Sequence, residues 1–120
     1  MNLESESSYD NYRRGRDLMG SGDLAGAIEC LRRSSEIDPH HKTLELIGEC
    51  LMRTGRNIEA IIPLAASSTL NVGPRAPSLL AEAYLALGKM HDAKAMAEMA
   101  LSRDANCKRA KIVLETAAQA

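Results

Sequence analysis

The sequence predicts an all-α chain: a row of helical hairpins closed by one last helix. Three observations carry that prediction. Small residues recur every 33 positions, at Gly22, Gly55 and Gly88, at Ala27, Ala60 and Ala93, and at Gly15, Gly48 and Ala81. Between these columns apolar residues fall at helical spacing, as in Leu44, Ile47, Gly48 and Leu51 or Pro77, Leu80, Ala81 and Tyr84, the i, i+3, i+4, i+7 signature of one helix face. Aromatic residues are only 2%, all of them tyrosine. The core is therefore aliphatic, which suits close helix packing, and Val, Ile and Thr are too scattered for strands.

Each element follows in order. Residues 1–7 are polar and acidic and are expected to form a disordered tail, followed by one domain over 8–120. Helix pairs are expected at about 9–20 and 24–37, 41–53 and 57–70, and 76–87 and 90–102. These make repeats at about 8–40, 41–73 and 74–106. Gly22, Gly55 and Gly88 each end a helix, where a left-handed cap favours glycine. Asp38-Pro39 closes the first pair and Asn71-Val72-Gly73-Pro74 the second. Pro63 lies inside a predicted helix, where it removes a hydrogen bond and costs about 3 kcal/mol, so a kink or a late start is expected. Asn57 stands where an apolar residue is expected, with Ile58 as its compensation. In the last helix, 107–118, Ala110, Val113, Leu114 and Ala117 share one face, and Lys108, Arg109, Lys111 and Glu115 the other. Such a helix covers the open apolar face of the last hairpin. The other end has no evident cap, since Tyr9 and Tyr12 begin the first helix directly.

The columns resemble those of the tetratricopeptide repeat family, whose degenerate signature is Trp-Leu-Gly-Tyr on one helix and Ala-Phe-Ala-Pro on the next. The first repeat offers Asn11, Arg14, Gly15 and Leu18, then Ala27, Leu31, Ser34 and Pro39. The second offers Leu44, Ile47, Gly48 and Leu51, then Ala60, Leu64, Ser67 and Val72. The third offers Pro77, Leu80, Ala81 and Tyr84, then Ala93, Ala97, Ala100 and Ala105. The period of 33 is also that of ankyrin, but no repeat has ankyrin's Thr-Pro-Leu-His turn. The resemblance spans roughly residues 8–120. It implies a right-handed superhelical α-solenoid of three hairpins plus a capping helix.

In that family the first helix of each pair lines a concave groove. The resemblance places Tyr9, Tyr12, Arg13, Arg16 and Met19 there, then Lys42, Glu45, Leu46, Glu49, Met52 and Arg53, then Arg75, Ser78, Leu79, Glu82 and Leu85. The expected surface is mixed: basic at Arg13, Arg16 and Arg53, acidic at Glu45, Glu49 and Glu82, with Met19 and Met52 as adaptable apolar contacts. One subgroup grips chaperone C-terminal carboxylates with a Lys/Asn/Asn/Lys/Arg clamp. The matching positions here are Tyr12, Arg16, Leu46, Arg75 and Leu79, so that clamp is not expected.

The formal net charge of −1 opposes a nucleic-acid binder, which needs a surplus of Lys and Arg. No apolar run reaches the length of a membrane span, and a cytoplasmic location with reduced Cys30, Cys50 and Cys107 is expected. His40, His41 and His91 have no metal-ligand spacing, and no nucleophile elbow or phosphate loop is present. The reading is thus a protein-interaction module, adaptor or scaffold that binds a partner peptide or helix. It has no catalytic residues, metal or cofactor. The alternative is a self-assembling protein that stacks through the uncapped first repeat, exposing Tyr9, Tyr12 and Leu18 to another copy.

Overall fold

The computed structural model describes residues 7–120. Seven helices follow one another: α1 (Ser8–Ser21), α2 (Leu24–Ile37), α3 (His41–Arg53), α4 (Asn57–Leu70), α5 (Arg75–Ala86), α6 (Met90–Arg103) and α7 (Lys108–Ala118). No strand occurs among the described residues. Helices pair as α1–α2, α3–α4 and α5–α6, each pair packs on the next, and α7 closes on α5 and α6. The body measures 53 × 26 × 20 Å, the elongated shape that arises when each hairpin touches only its neighbours.

The expected disordered tail needs correction at its end. Met1–Glu6 lie outside the described residues, but Ser7 is the N-cap of α1. Its Oγ accepts from the Asp10 N–H at 3.0 Å, and the Asp10 carboxylate accepts from the Ser7 N–H at 3.5 Å, a reciprocal capping box. Ser8 then begins the helix. Its Oγ donates to the Ser34 carbonyl at 2.9 Å, and Ser34 Oγ donates to the Ser8 carbonyl at 2.7 Å. The same tie recurs 33 residues later, where Ser67 Oγ donates to the His41 carbonyl at 2.8 Å. In the first two hairpins the buried Ser34 and Ser67 hydroxyls thus join the end of the second helix to the start of the first.

Gly22, Gly55 and Gly88 have φ of +91°, +80° and +76°, the left-handed region that glycine enters without strain. Each lets the chain fold back on the helix it ends. The following N–H donates to a carbonyl five residues earlier: Asp23 to Leu18 at 2.9 Å, Arg56 to Leu51 at 2.8 Å and Lys89 to Tyr84 at 2.9 Å. Pro63 does not delay α4, which starts at Asn57 and runs through the ring to Leu70. Glu59, whose carbonyl loses its partner to the proline, is exposed, so water can take that bond. Ile58 does not compensate for Asn57 either, because it points to solvent at 74% exposure.

The two helices of a hairpin approach at one small residue. A Cβ on Gly15 would stand 2.7 Å from Leu31 Cγ, and one on Gly48 would stand 2.5 Å from Leu64 Cδ2. Leu31 and Leu64 are fully buried, and their counterpart 33 residues on is Ala97, in the column facing Ala81. Glycine therefore opposes leucine twice and alanine opposes alanine once, so that a smaller residue on the second helix accompanies a larger one on the first. We expect Gly48→Ala to destabilise the protein by about 1–3 kcal/mol through overpacking, and Leu64→Ala by about 2–5 kcal/mol through a cavity. The double variant recreates the third hairpin's pair and should cost clearly less than the sum. Urea denaturation of all four proteins checks this, and strict additivity would contradict the volume exchange.

Candidate functional site

The first helices carry four columns of residues that are not consumed by packing inside a hairpin. They are Tyr9, Lys42 and Arg75; Tyr12, Glu45 and Ser78; Arg16, Glu49 and Glu82; and Met19, Met52 and Leu85. Ion pairs join one first helix to the next across this surface. Arg75 Nε donates to Glu45 Oε2 at 2.8 Å and its terminal nitrogen to Glu49 Oε1 at 2.5 Å, linking α5 to α3. Arg109 donates to Glu82 Oε1 at 2.7 Å, linking α7 to α5. Lys42 Nζ donates to the same Glu45 Oε2 at 3.1 Å. Arg109 thus leaves the solvent face expected of it and joins the lining.

These pairs change the expected charge pattern. Glu45, Glu49 and Glu82 were to be an acidic patch, yet every one is engaged by a cation, and Glu45 is buried. A carboxylate this deep persists only with such partners. Of the expected basic patch, Arg13 and Arg16 border one hollow of about 350 Å³ with Tyr9, Tyr12 and Asp17, while Arg53 is exposed in the last turn of α3. Arg13 lies 6.0 Å from the Tyr9 ring centre and Arg16 5.8 Å from that of Tyr12. Both distances permit weak cation–π attraction. Met19, Met52 and Leu85 are half-buried. Leu46, Ser78 and Leu79 are buried and so are corrected from lining to packing positions. Two of the five clamp positions are therefore core leucines, and a third, Arg75, already holds two carboxylates.

The expected open N-terminal edge carries charge. Among the residues that α3 and α5 bury are Thr43, Leu46, Ile47 and Cys50, and Ala76, Leu79, Leu80 and Ala83. One period earlier, α1 has Asp10, Arg13, Arg14 and Asp17. The face that would stack on another hairpin is thus charged, and covering it would desolvate four ionic groups. Tyr12 and Leu18 pack partly against the core instead, leaving Tyr9 67% exposed.

Three features escaped the sequence reading. His40 is a helix cap: its Nδ1 accepts from the Lys42 N–H at 3.2 Å. Arg103 donates from one nitrogen to the carbonyls of Ser68, Asn71 and Gly73 at 3.0, 3.1 and 3.2 Å, pinning the turn between α4 and α5. On the outer face, Ile58 and Ile62 are 74% and 79% exposed. None of these has a periodic counterpart that a repeat alignment could flag. Among the described residues, no three His, Cys, Asp or Glu side chains converge as metal ligands, and no helix is long and apolar enough to cross a membrane. Burial pushes the Cys50 thiol up to about 11, with Glu49 adding to the rise and Arg53 opposing it.

Residues 78–107 match the family model for the tetratricopeptide repeat. No curated protein sequence is significantly similar to the chain. Solved structures share its fold. The second tetratricopeptide domain of human RPAP3, in complex with an HSP70 peptide, is 21% identical, with a TM-score of 0.88 over 92% of this chain and 94% of that one. The Yersinia enterocolitica secretion chaperone SycD, in complex with a peptide of the translocator YopD, is 20% identical, with a TM-score of 0.86 over 98% of each chain. The tetratricopeptide domain of Arabidopsis OM64 is 12% identical, with a TM-score of 0.90 over 94% and 95%.

Two outcomes follow from the lining and from the buried thiol. Arg75→Met leaves Glu45 with Lys42 alone and Glu49 with no cation; it should cost about 1–3 kcal/mol in urea denaturation. A neutral result would mean the pairs contribute nothing to stacking. The thiol of Cys50 holds its proton more tightly folded than unfolded. Its contribution to stability is therefore complete below pH 9 and is lost as pH rises toward about 11. Thermal melts in that window should fall less steeply for Cys50→Ala than for the parent protein.

Proposed function

We propose that this chain, a tetratricopeptide-repeat protein by its match over residues 78–107 and by its fold, is a protein-interaction module. Its partner is a peptide or helix lying across α1, α3 and α5. The observation that carries the reading is the column Met19, Met52 and Leu85, left half-buried beside the charged column of Arg16, Glu49 and Glu82. Half-exposed methionine and leucine give an adaptable apolar seam, and the rims of charge give register, which is how a groove accepts an amphipathic segment. Tyr12, Arg16, Lys42, Glu49, Arg53 and Glu82 are the rim residues of this reading, with Glu45 and Arg75 as its internal struts and Arg13 at the outer corner.

Peptide complexes of RPAP3 and SycD support a peptide ligand for this fold class. The internal pairing of Arg75 and the burial of Leu46 and Leu79 favour a ligand other than a clamped C-terminal carboxylate. Binding rather than catalysis is the role proposed. The charged edge of α1 weighs against stacking of copies through the first hairpin.

Photo-crosslinking tests the reading. A benzoylphenylalanine at Arg53 reports on the lining, and one at Ile62 reports on the outer face. In extracts of the source cells, the Arg53 probe should capture a discrete protein partner that the Ile62 probe does not. Capture from Ile62 alone would move the interaction to the outer face of α4 and sink the groove proposal.

A further inference from the structure

The ion pairs between first helices form a ladder, and the ladder has a missing rung. Arg75 reaches back to Glu49, and Arg109 reaches back to Glu82. Glu49 and Glu82 are 33 residues apart, and Arg75 and Arg109 are 34 apart. One period before Arg75 stands Lys42, so the cation is kept. One period before Glu49 stands Arg16, so the carboxylate is replaced by a second cation. At the junction of the first and second hairpins two positive groups therefore occupy the places where the later junctions hold a cation and an anion.

Resting on the groove reading, we propose that this junction receives an acidic side chain, Asp or Glu, from a partner protein. Its carboxylate would take the place that Glu49 and Glu82 fill at the later junctions, between Arg16 and Lys42. Arg16 has no carboxylate partner among the described residues, only the Tyr12 ring at 5.8 Å. Lys42 can turn to a ligand at little cost. The oxygen it holds, Glu45 Oε2, also accepts from Arg75 Nε at 2.8 Å, so Glu45 stays paired. The space is open on both sides of the tyrosines. Tyr9 and Tyr12 border the hollow that contains Arg16 and also a second one, of about 280 Å³, that contains Lys42. Their rings would flank the aliphatic stem of a glutamate while the two cations meet its head.

Charge placement selects the ligand class. Asp17 borders the Arg16 hollow, and Asp38 borders the Lys42 hollow. A continuous polyanion such as a nucleic-acid backbone would run against both carboxylates. A single carboxylate flanked by neutral residues meets only the cations, and a guanidinium fork suits it well. The site thus gives the groove a direction, with the acidic part of the partner at α1 and its apolar part along Met19, Met52 and Leu85.

Fluorescence anisotropy at low salt tests this with two labelled peptides, Ala-Ala-Glu-Ala-Ala-Glu and Ala-Ala-Gln-Ala-Ala-Gln, and a labelled uridine hexanucleotide. The glutamate peptide should bind at least about tenfold more tightly than the glutamine peptide, the scale of one charge-assisted contact. Arg16→Glu supplies the missing rung from within, so it should abolish that preference while the melting temperature holds or rises. Equal binding of the two peptides, or a glutamate preference that survives Arg16→Glu, overturns the proposal. Tighter binding of the oligonucleotide overturns it in favour of nucleic acid. Capture of a partner through Arg53 in the crosslinking experiment, together with any of these failures, leaves the groove reading standing and removes only the acidic rung.

Discussion

Everything in this fold depends on how closely two helices of one hairpin can lie. Glycine at positions 15 and 48 lets the backbone of the first helix rest on the leucine of the second, with no room for even one extra carbon. Dispersion forces fall off steeply with distance, so this contact decides how much of Leu31 and Leu64 is in full contact with its surroundings. It also sets the angle at which the hairpin presents its outer faces to the next one. The third hairpin reaches a similar spacing with Ala81 and Ala97, and its core, shared with α7, is mostly alanine with Val113. Alanine makes fewer contacts than leucine. The C-terminal half therefore leans more on Arg103, which ties α6 to three carbonyls at the end of α4, and on Arg109, which ties α7 to α5.

The first described hairpin and the last differ in the faces they turn outward. At the C-terminal end an extra helix presents Ala110, Val113 and Ala117 to the last hairpin and charge to water. In the first hairpin, α1 exchanges four positions that α3 and α5 bury for Asp10, Arg13, Arg14 and Asp17. The same helix buries only Asn11 and Gly15, packs the half-buried Tyr12, Leu18 and Met19 on the core, and turns a charged face outward. That substitution makes the first hairpin the place where the repeat pattern is most altered.

What was legible in the sequence was what repeats. The glycine and alanine columns have a backbone or steric reason that recurs in each hairpin, and a period of 33 made them visible. The course of α2, α3 and α4 and the apolar face of α7 followed from them. What was illegible was what does not repeat, or what depends on a partner far along the chain. Ser7 looked like part of an acidic tail because its role lies in a reciprocal bond with Asp10. Glu45 looked like a surface charge because the residue that buries and neutralises it, Arg75, is 30 positions away. Leu46 and Leu79 read as groove residues because a single residue, about 100° around a helix, separates lining from packing. The first helix appeared uncapped for the same reason: its charges read as solvation until α3 and α5 showed which positions stack.

The lining residues illustrate a general tension in repeat proteins. Stacking pays for itself when each junction neutralises its own charges, as Arg75 with Glu49 and Arg109 with Glu82 do. A fully neutralised lining has nothing left to offer a ligand except shape. Recognition of a charged partner requires that one junction remain unbalanced, and the cost of that imbalance falls on stability. It is smallest where the neighbouring surface is open to water, since exposed like charges repel weakly at physiological salt. The first junction meets that condition, being bordered by the exposed charged edge of α1 and the exposed Tyr9. On the reading proposed above, interrupting the ladder at this water-exposed junction costs the solenoid little and leaves a charge for a ligand.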